Sequence, residues 1–192
     1  MTGRRAAVKL DDDAEPDATT VKTDTVLFAD DGDIPNSRYP LIVYSGAVDL
    51  GAGDAAVAFE ALFGGNGWGN GWRNGIFPFH HYHSTAHEVL GIARGEAEVR
   101  FGGEAGQTLH VRAGDAVLIP AGVGHKRLSG SPDLLVIGAY PPGQRADLMR
   151  EDAEDKAGIR ARIAAVAFPD TDPLAGRGGP MVAAWKPVAA DG

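Results

Sequence analysis

The chain has no cysteine among its 192 residues. Disulfides, thiol nucleophiles and cysteine-ligated zinc are therefore excluded, and any bound metal must rest on imidazoles and carboxylates. Basic residues are also short, 18 Lys and Arg against 26 Asp and Glu, a net charge of -8. Phosphate backbones need clustered Lys and Arg, so nucleic acid is not an expected partner. Long apolar runs are missing too. No span approaches a transmembrane helix, and the opening MTGRRAAVKLDDD lacks an apolar core of signal-peptide length. No membrane association is expected, and a cytoplasmic location is.

Turn-formers, by contrast, are plentiful: 27 glycines and 12 prolines, which suit an all-β fold better than a helical bundle. The length is that of one domain with a real core. Residues 1–33 carry nine acidic side chains and four basic ones, a net -5. The Thr-rich, aromatic-poor start reads as a flexible acidic tail over 1–20, with a single domain over 21–192.

Within that domain VKTDTVLFA and PLIVYSG (Pro40 to Gly46) read as the first two strands. Asp54 is placed to cap a short helix, AAVAFEALF, ended by Gly64 and Gly65. Six glycines and three asparagines crowd Gly64 to Gly75, which reads as a loop. Seven short strand-like segments follow: IFPFHHYH, HEVLGIAR, EAEVRFGG, TLHVR, DAVLIP, HKRLS and DLLVIGAY. In EAEVRF, Ala97, Val99 and Phe101 fall on one face and the charged residues on the other. Many short punctuated strands imply a sandwich or barrel. A surface helix is expected over Glu154 to Ala167. The Pro/Gly-rich segment after it is expected to lie across the sheet and bury Trp185.

Four of the six histidines, His80, His81, His83 and His87, stand in one apolar stretch with Glu88. In a strand, residues i and i+2 share a face, so His81 and His83 present two imidazoles side by side while His80 and Tyr82 point away. A turn at Ser84 to Ala86 returns the chain and sets Glu88 opposite. His125, just after a tight PAGVG turn, is the obvious third nitrogen. Such a set suits one divalent first-row ion, iron, manganese, nickel or zinc. The HExxH zinc-protease pattern fails, because Val89, Leu90 and Gly91 follow Glu88. By parity His80 and His87 are solvated or support the ligands from behind, and His110 is exposed or at the core edge.

The spacing Gly75-x5-His81-x-His83-x4-Glu88-x6-Gly95 matches the first cupin motif at every fixed position. Gly114-x5-Pro120-x-Gly122-x2-His125 matches the second after an 18-residue gap. Ser129 stands where that motif usually ends in Asn. The chain thus resembles the cupin superfamily, and over roughly Phe28 to Trp185 its YjlB-like group of single-domain bacterial proteins. The resemblance implies an all-β cupin jelly-roll barrel with a few short peripheral helices, its motif core over 75–140, and a metal near the barrel axis on His81, His83, Glu88 and His125. It brings no established reaction.

Three His and one Glu leave two octahedral positions for a small molecule or for substrate plus dioxygen. The expected function is a metal-dependent oxygenase, isomerase or decarboxylase acting on a small, partly apolar organic acid. The alternatives are a non-catalytic sensor that keeps the metal as an anchor, and a metal-free structural barrel. Arg127, in parity with His125 and Ser129, and Arg73, in parity with Phe77, Phe79 and His81, are the candidates for an anion clamp. A bulge after His125 would instead turn Arg127 to solvent, and Gly75 and Pro78 interrupt the strand beyond Arg73. Phe77, Phe79, Phe101, Leu90 and Val99 are expected pocket walls. Trp68 and Trp72 either cap the mouth or pack under the glycine loop. The resemblance also implies a homodimer, since jelly-roll edge strands need cover.

Overall fold

The computed structural model describes residues 21–185, so the acidic tail over 1–20 lies outside the described residues. Among the described residues nine strands form two antiparallel sheets. They are β1 (Lys22–Val26), β2 (Leu41–Ser45), β3 (Gly69–Asn74), β4 (Glu88–Arg94), β5 (Glu96–Phe101), β6 (Gln107–Arg112), β7 (Ala116–Ile119), β8 (His125–Gly130) and β9 (Leu135–Tyr140). One sheet runs β1-β2-β7-β4-β9-β3 and the other β6-β5-β8. Three helices, α1 (Ala55–Gly65), α2 (Lys156–Ala165) and α3 (Pro180–Ala184), are peripheral. The all-β jelly-roll expectation holds.

The six-stranded sheet is buried on both faces, and its alternation sorts residues between them. Leu90 and Ile92 of β4, Val117 and Ile119 of β7 and Val136 of β9 pack inward, against Val99 and Phe101 of the smaller sheet. Val89, Leu118, Ile137 and Ala139 pack outward, against Phe59 and Phe63 of α1 and against Trp68 and Trp185. The alternation in EAEVRF is as expected, with Ala97, Val99 and Phe101 buried.

Asp54 caps α1 by accepting the Ala56 N–H at 2.9 Å, as expected. The helix sits close because Gly91 of β4 has no side chain: a Cβ there would lie 2.5 Å from the Phe59 ring. After α2 the chain crosses back over the outer face and buries Trp185 completely, its indole donating to the Pro40 carbonyl at 2.8 Å. Asp172, also fully buried, anchors this crossing by accepting the Tyr44 hydroxyl at 2.6 Å and the N–H groups of Leu174, Ala175 and Met181.

Two local expectations are corrected. The glycine-rich stretch read as a loop supplies the edge strand β3, with a register shift between Gly69 and Trp72. The segment IFPFHHYH is not a regular strand; only His81 and Tyr82 pair, with His125 and Met149. Pro78 has no N–H to donate to a ladder, and that breaks the run.

Candidate metal centre

His81 and His125 face each other across a reciprocal backbone pair, N–H to carbonyl in both directions at 3.2 and 2.9 Å. Their rings are 3.9 Å apart between centroids. His83 follows two residues on, and Glu88 enters from the first position of β4 on the inner face it shares with Leu90. The three histidines offer ring nitrogens that all lie within 4.8 Å of one another. The Glu88 carboxylate joins two of them, 3.2 Å from His83 Nε2 and 3.5 Å from His125 Nε2. His81, Glu88 and His125 are buried and His83 is half-buried.

The far side of each ring settles its tautomer. His81 Nδ1 lies 3.2 Å from the Phe79 carbonyl, His125 Nδ1 lies 3.3 Å from the Val123 carbonyl, and His83 Nδ1 meets the Asp147 carbonyl. A carbonyl only accepts, so each Nδ1 must carry the proton and donate it. When the imidazoles are neutral, three Nε2 lone pairs are therefore left for one another and for a carboxylate. Lone pairs so arranged repel unless a proton or a cation sits among them, and the donor set suits a divalent first-row ion.

The electrostatics agree. Burial and the neighbouring His125 push His81 down to about 3. Burial opposes charge on His83, but the Glu88 carboxylate outweighs it and raises that imidazole. Burial likewise acts to raise Glu88, yet His83 and His125 hold it ionised, far below the usual carboxylate range.

The site opens into a cavity of about 220 Å³ lined by Trp72, Asn74, Ile76, Phe77, Leu90 and Tyr140 besides the four ligand candidates. Phe77 is exposed at the mouth and stacks on Phe79 at 5.0 Å. Among the described residues, no lysine or arginine lines this space. Arg73 pairs across β3–β9 with Ile137, an outward residue, so its guanidinium meets Glu60 of α1 in two 2.7 Å bonds. The break at Gly75 to Phe79 reverses the parity on which its inward placement relied. Arg127 does share a side with Val99, because the register shift in β8 comes after it and turns only Ser129 outward beside Glu98. Its stem, however, runs beside Gly130, and it is not among the cavity walls. Neither arginine lines the cavity at the histidines.

His87 supports the site from behind: its Nδ1 accepts the Ala121 N–H at 2.9 Å, holding the turn that delivers His125, and its ring is buried against Trp185. Burial pushes it down to about 4. His80 is buried on the far side and pairs with the Glu104 carboxylate at 3.0 Å, while His110 is exposed beside Glu96. Two contributors, Asp147 and Tyr140, were not foreseen at the site. Asp147 holds Ser84 through its side chain and His83 through its carbonyl. Trp72 and Tyr140 form a wall of the cavity, joined by a 2.9 Å bond from the indole N–H to the phenol oxygen. Nothing in the local sequence marks Asp147 or Tyr140. Trp72 was foreseen only as a mouth cap or as packing under a loop.

Residues 73–131 match the family model described as a cupin domain. A relative, the uncharacterized protein YjlB of Bacillus subtilis, is 44% identical over 165 residues, which cover 85% of this chain and 97% of the relative. The chain is a cupin of the YjlB family. Among solved structures it is similar to a double-stranded β-helix protein from Klebsiella pneumoniae, at 16% identity and TM-score 0.35 over 78% of this chain and 98% of that one. It is also similar to a cadmium-containing acireductone dioxygenase from Bacillus anthracis, at 15% identity and TM-score 0.35. That overlap covers 46% of this chain and 60% of the dioxygenase. Among the described residues, no helix is long and apolar enough to cross a membrane.

Proposed function

We propose that this cupin holds one divalent metal ion on His81, His83, His125 and Glu88 and is an enzyme acting on a small, mainly apolar molecule that offers an oxygen to the site. The observation that carries this is the fixed tautomer: three Nδ1–H groups tied to carbonyls, three Nε2 atoms and a carboxylate converging at the base of an apolar cavity. A divalent ion there would supply Lewis acidity toward a carbonyl or enolate oxygen, or a place for dioxygen.

The protein's own part is positioning. Phe77, Trp72 and Leu90 exclude water and confine the ligand in a volume below the usual range of about 300–1,000 Å³ for ligand pockets, so the ligand is compact. With no lysine or arginine among the described residues of the lining, an acid would be recognised through the metal site and not through a separate clamp. Oxygenation, isomerisation or decarboxylation all remain consistent with one open, apolar metal site.

The test is a screen of small carbonyl and carboxylate compounds against the iron, manganese, nickel and zinc forms, following product and oxygen uptake. Turnover in one form that is lost in His83→Ala is the expected result. Tight binding without turnover in every form would overturn the enzyme reading in favour of a non-catalytic sensor. We also propose a homodimer, because among the described residues β1 and β3 end the larger sheet with no further strand beside them. Light scattering should give twice the 20.0 kDa of one chain, and a concentration-independent monomer would refute it.

A further inference from the structure

The inner face of β9 carries Val136, then Gly138, then Tyr140, and only the last of these has polar chemistry. The neighbouring edge strand places Trp72 directly opposite Gly138. A Cβ on Gly138 would lie 2.1 Å from the indole, so only glycine lets the ring lie flat on the strand. The register shift in β3, with Asn70 at φ 51°, turns Trp72 inward although Arg73 next to it faces α1. The outcome is specific: the indole N–H reaches the Tyr140 oxygen at 2.9 Å.

That bond decides what the phenol can offer. Indole only donates, so one lone pair of the Tyr140 oxygen is taken and the hydroxyl proton remains to be given. Tyr140 also lines the cavity together with Glu88, and its ring stands 6.1 Å from that of His83. A ligand oxygen brought to the histidines would enter beside this hydroxyl. Among the described residues, no other hydroxyl and no lysine or arginine lines the space.

We infer that Tyr140, oriented by Trp72, is the specificity-determining hydrogen-bond donor of the site, selecting compact planar ligands that present an anionic or enolic oxygen to the metal. This rests on the metal reading above. It assigns to a neutral phenol the role that a cationic clamp would otherwise fill. Ligands that bind through nitrogen and leave no acceptor behind gain nothing from it.

The experiment loads wild-type protein, Tyr140→Phe and Trp72→Phe with cobalt(II) and measures metal uptake. Each is then titrated, by its visible absorption, with acetohydroxamate, a planar oxygen donor, and with imidazole, a nitrogen donor. Tyr140→Phe should take up cobalt normally, bind acetohydroxamate about tenfold more weakly and bind imidazole within about twofold of wild type, the loss expected for one hydrogen bond to a charged acceptor. Trp72→Phe should show the same selective loss at about threefold, because the phenol persists but is no longer oriented. Equal affinities for both probes, or equal weakening of both, in the cobalt-loaded variants would overturn the role of Tyr140 and leave the metal site standing. Wild-type protein that takes up no cobalt would overturn the metal reading itself, and this inference with it.

Discussion

On its outer face the six-stranded sheet buries Phe59, Phe63, Trp68 and Trp185, and the charged group among them, Asp172, has every contact devoted to holding a chain segment. On its inner face the same strands carry Glu88 and Tyr140 into a cavity with three histidines. β4 serves both: Val89 and Ala93 face out, while Glu88, Leu90 and Ile92 face in. A period of two lets one strand carry stability on one side and chemistry on the other. The two should therefore be separable by mutation.

Phe59→Ala is the largest test of that separation, because Phe59 packs on Gly91 of the outer face and touches none of the histidines. Emptying this fully buried outer site should cost about 3–5 kcal/mol in urea unfolding, yet the folded variant should bind metal as wild type does. Impaired metal affinity would show that the two faces are coupled. Tyr44→Phe removes one hydrogen bond to buried Asp172 and should cost about 1.5–3 kcal/mol, again with metal binding intact.

Acid offers a subtler probe, since His81 belongs to the inner face and His87 touches the outer one. In the folded metal-free chain they stay neutral down to about 3 and about 4, whereas unfolded imidazoles protonate near pH ~6.5. Below that pH the unfolded chain binds more protons, so stability falls as pH drops from ~6.5 toward 4. The slope is up to about 1.4 kcal/mol per pH unit for each imidazole. His83 has the opposite sign: its raised value adds stability that is complete below pH ~6.5 and is lost only as pH rises through the folded value. Urea midpoints of chelated protein between pH 6.5 and 4.5 should fall, less steeply in His87→Gln, and a flat profile would count against buried neutral imidazoles. The smallest effect belongs to the exposed Arg73–Glu60 pair: solvent screens it, so Arg73→Ala should leave the urea midpoint indistinguishable from wild type and the site untouched.

How much of this was legible in the sequence follows from where period and punctuation are strong. EAEVRF, the Asp54 cap and the burial of Trp185 were readable because each depends on local pattern or on a large apolar ring needing cover. The histidine cluster was readable because His81-x-His83 sets a face and Glu88 and His125 follow at motif spacing. Arg73 was misplaced because the parity count ran through Gly75 and Pro78, where the strand stops. β3 was invisible for a different reason. Its GNGWRN has no β-branched residue, and its pairing is decided by β9, some 65 residues downstream. The Trp72–Tyr140 wall is a product of that long-range pairing, so no local signal could announce it.

The central claim is that the inner face converges on one ion. An anomalous difference map from crystals of cobalt-loaded protein tests it most directly. One peak per chain is predicted, with His81, His83 and His125 Nε2 and a Glu88 oxygen each about 2.0–2.3 Å away. A peak elsewhere, or none with His125 turned to solvent, would contradict the account.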